Sequence, residues 1–197
     1  ARLPIALLRS IAALHKTNLG YTAWAGGLAL EMLLEAGCVG SIDLCFSSLD
    51  IFGLPPRFRA CAEAEAVPLR DWTALAMIEA LRAAQRNIPS GAFQLPVGSA
   101  MMERVPGART VADPLVGEPI GAIPPLALDT VVLHAPRADA SGNVQIIGAR
   151  ALDIAMVGAA KQVLVTVEEI VPVGTLGAAG RQTALTRNQI SAIAVVP

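Results

Sequence analysis

Short runs of β-branched and apolar residues, such as VGSIDLCF at 39–46 and VLVTV at 163–167, recur along the chain with segments of helical period between them. Strands separated by helices are joined by crossovers, and crossovers leave neighbouring strands parallel. The alternation therefore predicts an α/β fold, with an open, largely parallel sheet covered by helices on both faces.

Local punctuation places the elements. Residues 4–14 carry apolar side chains at helical spacing, and Pro4 suits a first turn. Residues 19–24 read as a strand, 28–36 as a helix stopped by Gly37, and 39–46 as the next strand. A helix is expected over 56–65, a short extended piece over 67–69, and a helix over 73–87 with Asp71 or Thr73 at its cap. From 89 to 125 prolines and glycines recur too often for long elements, which predicts loops containing short strands. Strands are expected again at 130–134, 144–147, 163–167 and 190–195, with a helix over 150–160. No internal repeat or linker interrupts the pattern, so one domain over 1–197 is expected.

Composition narrows the partners. Hydrophobic residues make up 54% of the chain and charged residues 16%, a balance that places part of the apolar surplus in an interface. A formal net charge of -1 offers no basic stripe to a phosphate backbone and no polybasic patch to anionic lipid, so neither nucleic acid nor a membrane surface is an expected partner. Mean hydropathy is +0.56, yet charge, Gly or Pro breaks every apolar stretch before it can span a bilayer. The N-terminal stretch carries Arg9, His15 and Lys16 where a leader would be apolar or small, and it reads as an amphipathic helix. Cys38, Cys45 and Cys61 form no CxxC pair and leave an odd thiol, which predicts buried free thiols in a cytoplasmic protein. His15 and His134 lack ligand spacing to each other or to the cysteines, so no metal is expected.

In an open sheet, ligands gather beyond the carboxyl ends of the strands. Ser47-Ser48-Leu49-Asp50 follows the strand ending at Phe46; it is either an ordinary turn or a pair of hydroxyls, Ser47 and Ser48, that bind a carboxylate or a thioester carbonyl. Glu168-Glu169 follows 163–167; Glu168 is either a nucleophile or base with a raised pKa, or belongs to an ordinary pair of acids, one solvated and one salt-bridged. In the segment 113–143, Asp113-Pro114 with Gly117 makes a tight turn, and Asp139 to Asn143 with Gly142 makes another between two strands. His134 ends a strand and reads as a hydrogen-bonded structural histidine before an acid–base one. The run from Gly174 to Arg181 lacks the Lys-Ser/Thr ending and following helix of a phosphate loop, and reads as a loop.

The order Pro-x-Leu-x-x-Asp from Pro124, an apolar strand, His134-Ala135, Arg137-Ala138-Asp139 and Gly142-Asn143 resembles the signature stretch of the alpha subunits of class I CoA-transferases, the glutaconate and 3-oxoacid CoA-transferase family. Asp113-Pro114-x-x-Gly117-Glu118 is similar to the family's Asp-Pro-Phe-x-Gly-Glu, with Leu115 in the aromatic place. Gly26-Gly27, Gly37, Ala83-Ala84 before Ile88-Pro89, and Ala159-Ala160-Lys161 before VLVTVEEIV fall in the family's order.

The resemblance implies transfer of CoA from an acyl-CoA to a carboxylic acid, with coenzyme A as substrate and no permanently bound cofactor. It also implies a beta subunit, in a heterodimer or heterotetramer, whose Ser-Glu-Asn-Gly glutamate forms an anhydride and then a glutamyl-CoA thioester. No Ser-Glu-Asn-Gly run occurs in these residues. The chain is then one wall of the cleft, with Ser47 and Ser48 toward substrate and Asp113, Gly117, His134, Arg137, Asp139, Gly142 and Asn143 as framework. It is also expected to lack the family's glycine-rich N-terminal segment and its C-terminal extension. A CoA-dependent hydrolase or ring-opening enzyme on the same scaffold, and a non-catalytic structural or effector-binding component, are the alternatives.

Overall fold

The computed structural model describes residues 3–94, 100–105, 107–148, 150, 152–176 and 183–196. The chain divides into two compact units, Ser10–Leu126 and Ala1–Arg9 with Ala127–Pro197, the division falling within helix α1 (Ile5–Ala13).

The unit Ser10–Leu126 begins with strands and helices in strict alternation: β1 (Leu19–Ala25), α2 (Gly27–Glu35), β2 (Val39–Phe46), α3 (Pro56–Glu63), β3 (Leu69–Asp71) and α4 (Ala74–Arg86). The three strands pair in parallel in the order β1-β2-β3, with Thr22 beside Asp43 and Asp43 beside Arg70. Leu30, Ile42, Leu44 and Phe58 form the core between β2 and the helices. Each such side chain contributes roughly 1.5–3 kcal/mol through removal from water.

The expected stops and caps are in place. Gly37 follows α2 at φ 66, and Thr73 Oγ1 accepts from the Ala76 amide at 3.0 Å to start α4, which ends on Asn87 in the left-handed conformation. One cap was not foreseen: the buried Glu31 of α2 accepts from the Arg57 and Phe58 amides at 3.0 and 2.7 Å and so closes the N-terminus of α3. β3 also lies two residues later than the extended piece expected at 67–69, because its register is set by Arg70 meeting Asp43 across the sheet.

The Pro/Gly-rich segment forms short pieces, β4 (Gly91–Phe93), α5 (Met101–Arg104), β5 (Arg109–Ala112) and β6 (Pro119–Ile123). Their strands make an antiparallel sheet in the order β4-β6-β5.

The second unit is built on β7 (Leu128–Asp139), β8 (Val144–Gln145), α6 (Asp153–Ala159), β9 (Ala160–Val171), β10 (Thr183–Leu185) and β11 (Ala192–Val195). The sheet order is β10-β8-β7-β9-β11: β7, β9 and β11 run parallel, while β8 pairs antiparallel with both β7 and β10. Val131, Leu133, Val163, Val165, Val167 and Leu185 are among its buried core. β10 was not expected from sequence. Of the run from Gly174 to Arg181, Gly174 takes φ 90 in a turn, and residues 177–181 lie outside the described residues.

The α/β class read from the alternation holds, with parallel pairing in both units. Among the described residues no helix is long and apolar enough to cross a membrane.

Candidate functional site

The carboxyl ends of β1 and β2 meet at two tight turns. Gly26 follows β1, and its amide donates to Phe46 O at 2.9 Å, the last carbonyl of β2. A Cβ built on Gly26 would stand 2.5 Å from Ser47 Oγ and 3.0 Å from Leu30 Cδ2, so a side chain here forces Ser47 to shift. Tyr21 Oη donates to the Gly26 carbonyl at 3.2 Å and holds the turn from below; burial pushes its phenol well up, so it stays a neutral donor.

On the β2 side the chain closes into a small loop. Leu49 N donates to Gly53 O at 2.8 Å, Asp50 N donates to Ser48 Oγ at 2.9 Å, and Asp50 adopts φ 53. Ser48 is thus part of an ordinary serine turn, as one of its two readings had it, with its hydroxyl proton uncommitted by that bond. Ser47 differs: its Oγ is buried and has no hydrogen-bond partner. A buried hydroxyl left unpaired costs about 1–3 kcal/mol, and such groups concentrate where function has placed them. Helix α2 starts on Gly26 without a side-chain cap, so this strand end combines an orphan hydroxyl with helix-start amides. A hydroxyl and backbone amides are both hydrogen-bond donors, the kind of group a carbonyl or carboxylate oxygen accepts from.

Gly26→Ala tests the crowding. The variant is expected to lose about 1–3 kcal/mol, the usual cost of overpacking, with Ser47→Ala recovering part of it in the double variant. Urea unfolding of the two variants reads this out.

Of the three thiols expected to be buried only Cys38 is; Cys45 and Cys61 are part-exposed, but burial still pushes the Cys45 thiol up to about 11, which keeps it protonated and a poor nucleophile. Asp113 closes the β5–β6 turn: its Oδ1 accepts from the Leu115 and Val116 amides at 2.8 and 3.1 Å, and its carbonyl accepts from Gly117, which takes φ 78.

The other predicted residues lie in the second unit. β7 runs five residues past His134, so His134 stands inside a strand and not at its end. Pro136 is tolerated within β7 because β8 pairs with β7 only at Arg137 and Ala138, leaving β9 as the one neighbour up to that point. His134 Nδ1 is 2.9 Å from Thr166 Oγ1, its register partner on β9. Glu168 is likewise inside β9, two-thirds exposed, with Oε1 3.7 Å from His134 Nε2; Glu169 pairs with Arg137. These acids sit on a strand as cross-strand partners, in place of the strand-end loop expected for them, which matches the salt-bridged reading.

Asp139 organises the turn that follows. Oδ1 accepts from Ser141 N at 2.9 Å, Ser141 Oγ at 2.7 Å and Asn143 N at 2.9 Å, while Oδ2 accepts from Asn143 Nδ2 at 2.8 Å. Gly142 supplies the φ of 93 the turn requires. Burial alone would raise the Asp139 pKa, but the bonds from Asn143 and Ser141 prevail and hold it at about 2. It is a fixed carboxylate with its acceptors occupied, a framework group by geometry.

Sequence reasoning missed Tyr21 and the contact of Gly26 with Ser47. No periodicity encodes either; only the glycine pair directly after a strand hinted at a close backbone approach.

Comparison with known proteins agrees in one direction. A family model described as coenzyme A transferase matches residues 1–180. An uncharacterized protein of Archaeoglobus fulgidus is 29% identical over 170 residues, 85% of this chain and 38% of that protein. The A-type chain of the 3-oxoadipate CoA-transferase of Pseudomonas knackmussii is 26% identical over 198 residues, 99% of this chain and 70% of that one. Among solved structures, a variant of the decarboxylase AibA/AibB superposes with a TM-score of 0.88 at 26% identity, covering 100% of this chain and 73% of that chain. This chain thus spans well under half of the Archaeoglobus relative.

Proposed function

The chain belongs to the coenzyme A transferase family, and from that premise we propose that it is the A-type component of a two-subunit enzyme moving CoA from an acyl-CoA to a free carboxylic acid. The observation that carries the reading is the match to the A-type chain of a 3-oxoadipate CoA-transferase over 99% of this chain. The signature from Pro124 to Asn143 supports it, since Asp139, Gly142 and Asn143 form one closed turn.

In this reading a glutamate of a B-type partner attacks the thioester carbonyl and expels CoA thiolate, leaving an acyl–glutamyl anhydride. The thiolate attacks the glutamyl carbonyl, releases the first acid and leaves glutamyl-CoA. The acceptor carboxylate then runs the two steps in reverse. This chain contributes the Ser47 and Ser48 hydroxyls at the end of β2, which hydrogen-bond a substrate oxygen as charge develops on it. Gly26 and Tyr21 keep that strand end in position. His134, Arg137 and Asp113 serve the framework, and Glu168 is a surface partner of His134 and not a nucleophile.

The test is isotope exchange. Co-expressed with its B-type partner, the chain is expected to exchange labelled CoA between an acyl-CoA and added acids with parallel-line kinetics, and Ser47→Ala and Ser48→Ala in the complex are expected to lower kcat/KM by roughly 10-fold or more. Release of free CoA without an acceptor acid would point to a hydrolase instead. The likeness to a decarboxylase favours a second reading, whose mark is CO2 release from a carboxylated acyl-CoA with the thioester intact.

A further inference from the structure

The loop after β2 is firmly built yet displays apolar side chains. Phe52 N donates to Leu49 O at 3.1 Å and Leu49 N to Gly53 O at 2.8 Å, and the turn so closed leaves Ile51 91% and Phe52 82% exposed. Phe46 before it and Leu54 after it are half-exposed. Scattered single apolar residues on a surface are ordinary; four large ones within nine positions beside an orphan hydroxyl are not.

Charge decides what such a loop can receive. No Lys or Arg occurs between Thr17 and Pro56. The next cations downstream are engaged: the Arg57 guanidinium is 2.7 Å from Glu35, Arg59 is 2.7 Å from Glu63, and Arg70 is held by Asp43. The charged side chain on the loop itself is Asp50, which is exposed. A second carboxylate on a substrate would therefore meet the like charge of Asp50 and no Lys or Arg of this loop, whereas a hydrocarbon group would find Ile51 and Phe52.

Resting on the CoA-transferase reading, we propose that residues 46–54 select the acyl group, and that they select an apolar one without a terminal carboxylate. This departs from the relative named for 3-oxoadipate, a dicarboxylic acid. Ser47 and Ser48 hold the thioester end, and Ile51 and Phe52 take the hydrocarbon out of water.

The experiment uses the complex with the B-type partner and compares octanoyl-CoA with glutaryl-CoA as CoA donors. Wild type is expected to favour octanoyl-CoA by at least about 10-fold in kcat/KM; Phe52→Ala is expected to cut that ratio by roughly 10-fold, mainly through KM, and Phe52→Arg to shift it toward glutaryl-CoA. Phe52 is too exposed for these changes to endanger folding. A wild-type preference for glutaryl-CoA, or a ratio that neither variant moves, overturns the proposal. So does loss of co-elution with the B-type partner in size-exclusion chromatography with the ratio intact, which would make the loop an intersubunit contact. If neither thioester supports transfer, the CoA-transferase reading fails on its own, and calorimetric binding of the same two thioesters to the complex still decides the acyl preference.

Discussion

Replacing Asp43 with alanine is expected to cost about 3–5 kcal/mol of folding stability, read from the midpoint of urea unfolding. Asp43 is 1% exposed in the middle of β2 and accepts from Arg70 Nε at 2.6 Å and from Trp72 Nε1 at 2.8 Å. Removing the carboxylate strands the Trp72 donor, itself buried, and leaves Arg70 charged beside an apolar sheet. Asp43→Asn separates these terms. The amide oxygen still accepts from Trp72, and the part-exposed Arg70 can turn toward water, so roughly half the loss is expected. Equal losses in the two variants would show that the charge, and not the hydrogen bonding, carries the site.

Asp139→Ala is expected to cost about 2–3 kcal/mol, because four hydrogen bonds converge on that one buried carboxylate. Its pH dependence has a definite sign. The folded pKa is about 2, below the ordinary 3.8, so the unfolded chain binds the proton more readily. The contribution of Asp139 is therefore complete above about pH 4 and disappears as pH falls toward 2. Urea midpoints of wild type and Asp139→Asn, measured at intervals across that window, should converge as the acid is titrated. Parallel curves would mean that Asp139 titrates alike in both states.

Much of the architecture was legible because it is local. Strand 39–46, the stop at Gly37, and the cap at Thr73, one of the two offered, each follow from a handful of adjacent residues, and each stands where it was expected. The parts that were not legible depend on partners distant in sequence. β7 and β9 run to Asp139 and Val171, well past their apolar centres, because Arg137 finds Glu169 across the ladder and His134 finds Thr166. From sequence these strands are read only over 130–134 and 163–167. β10 has three residues and exists through its pairing with β8. The candidate site divides the same way. That Ser47 and Ser48 follow a parallel strand was readable; that Gly26 presses on Ser47 and that Ser47 has no partner are distances, which periodicity does not carry.

The loop that bears Ile51 and Phe52 is anchored at both of its ends by bonds that do not involve its own side chains. Before it, Phe46 O receives the Gly26 amide; after it, Glu31 takes the Arg57 and Phe58 amides. Ser47 presses on the first anchor through Gly26, and Pro55 and Pro56 open the helix at the second; the residues between them, 48–54, take no part in either. Such a segment is a replaceable cartridge: transplanting a relative's residues over 49–54 as one block is expected to carry their preference with them while the sheet beneath keeps its register.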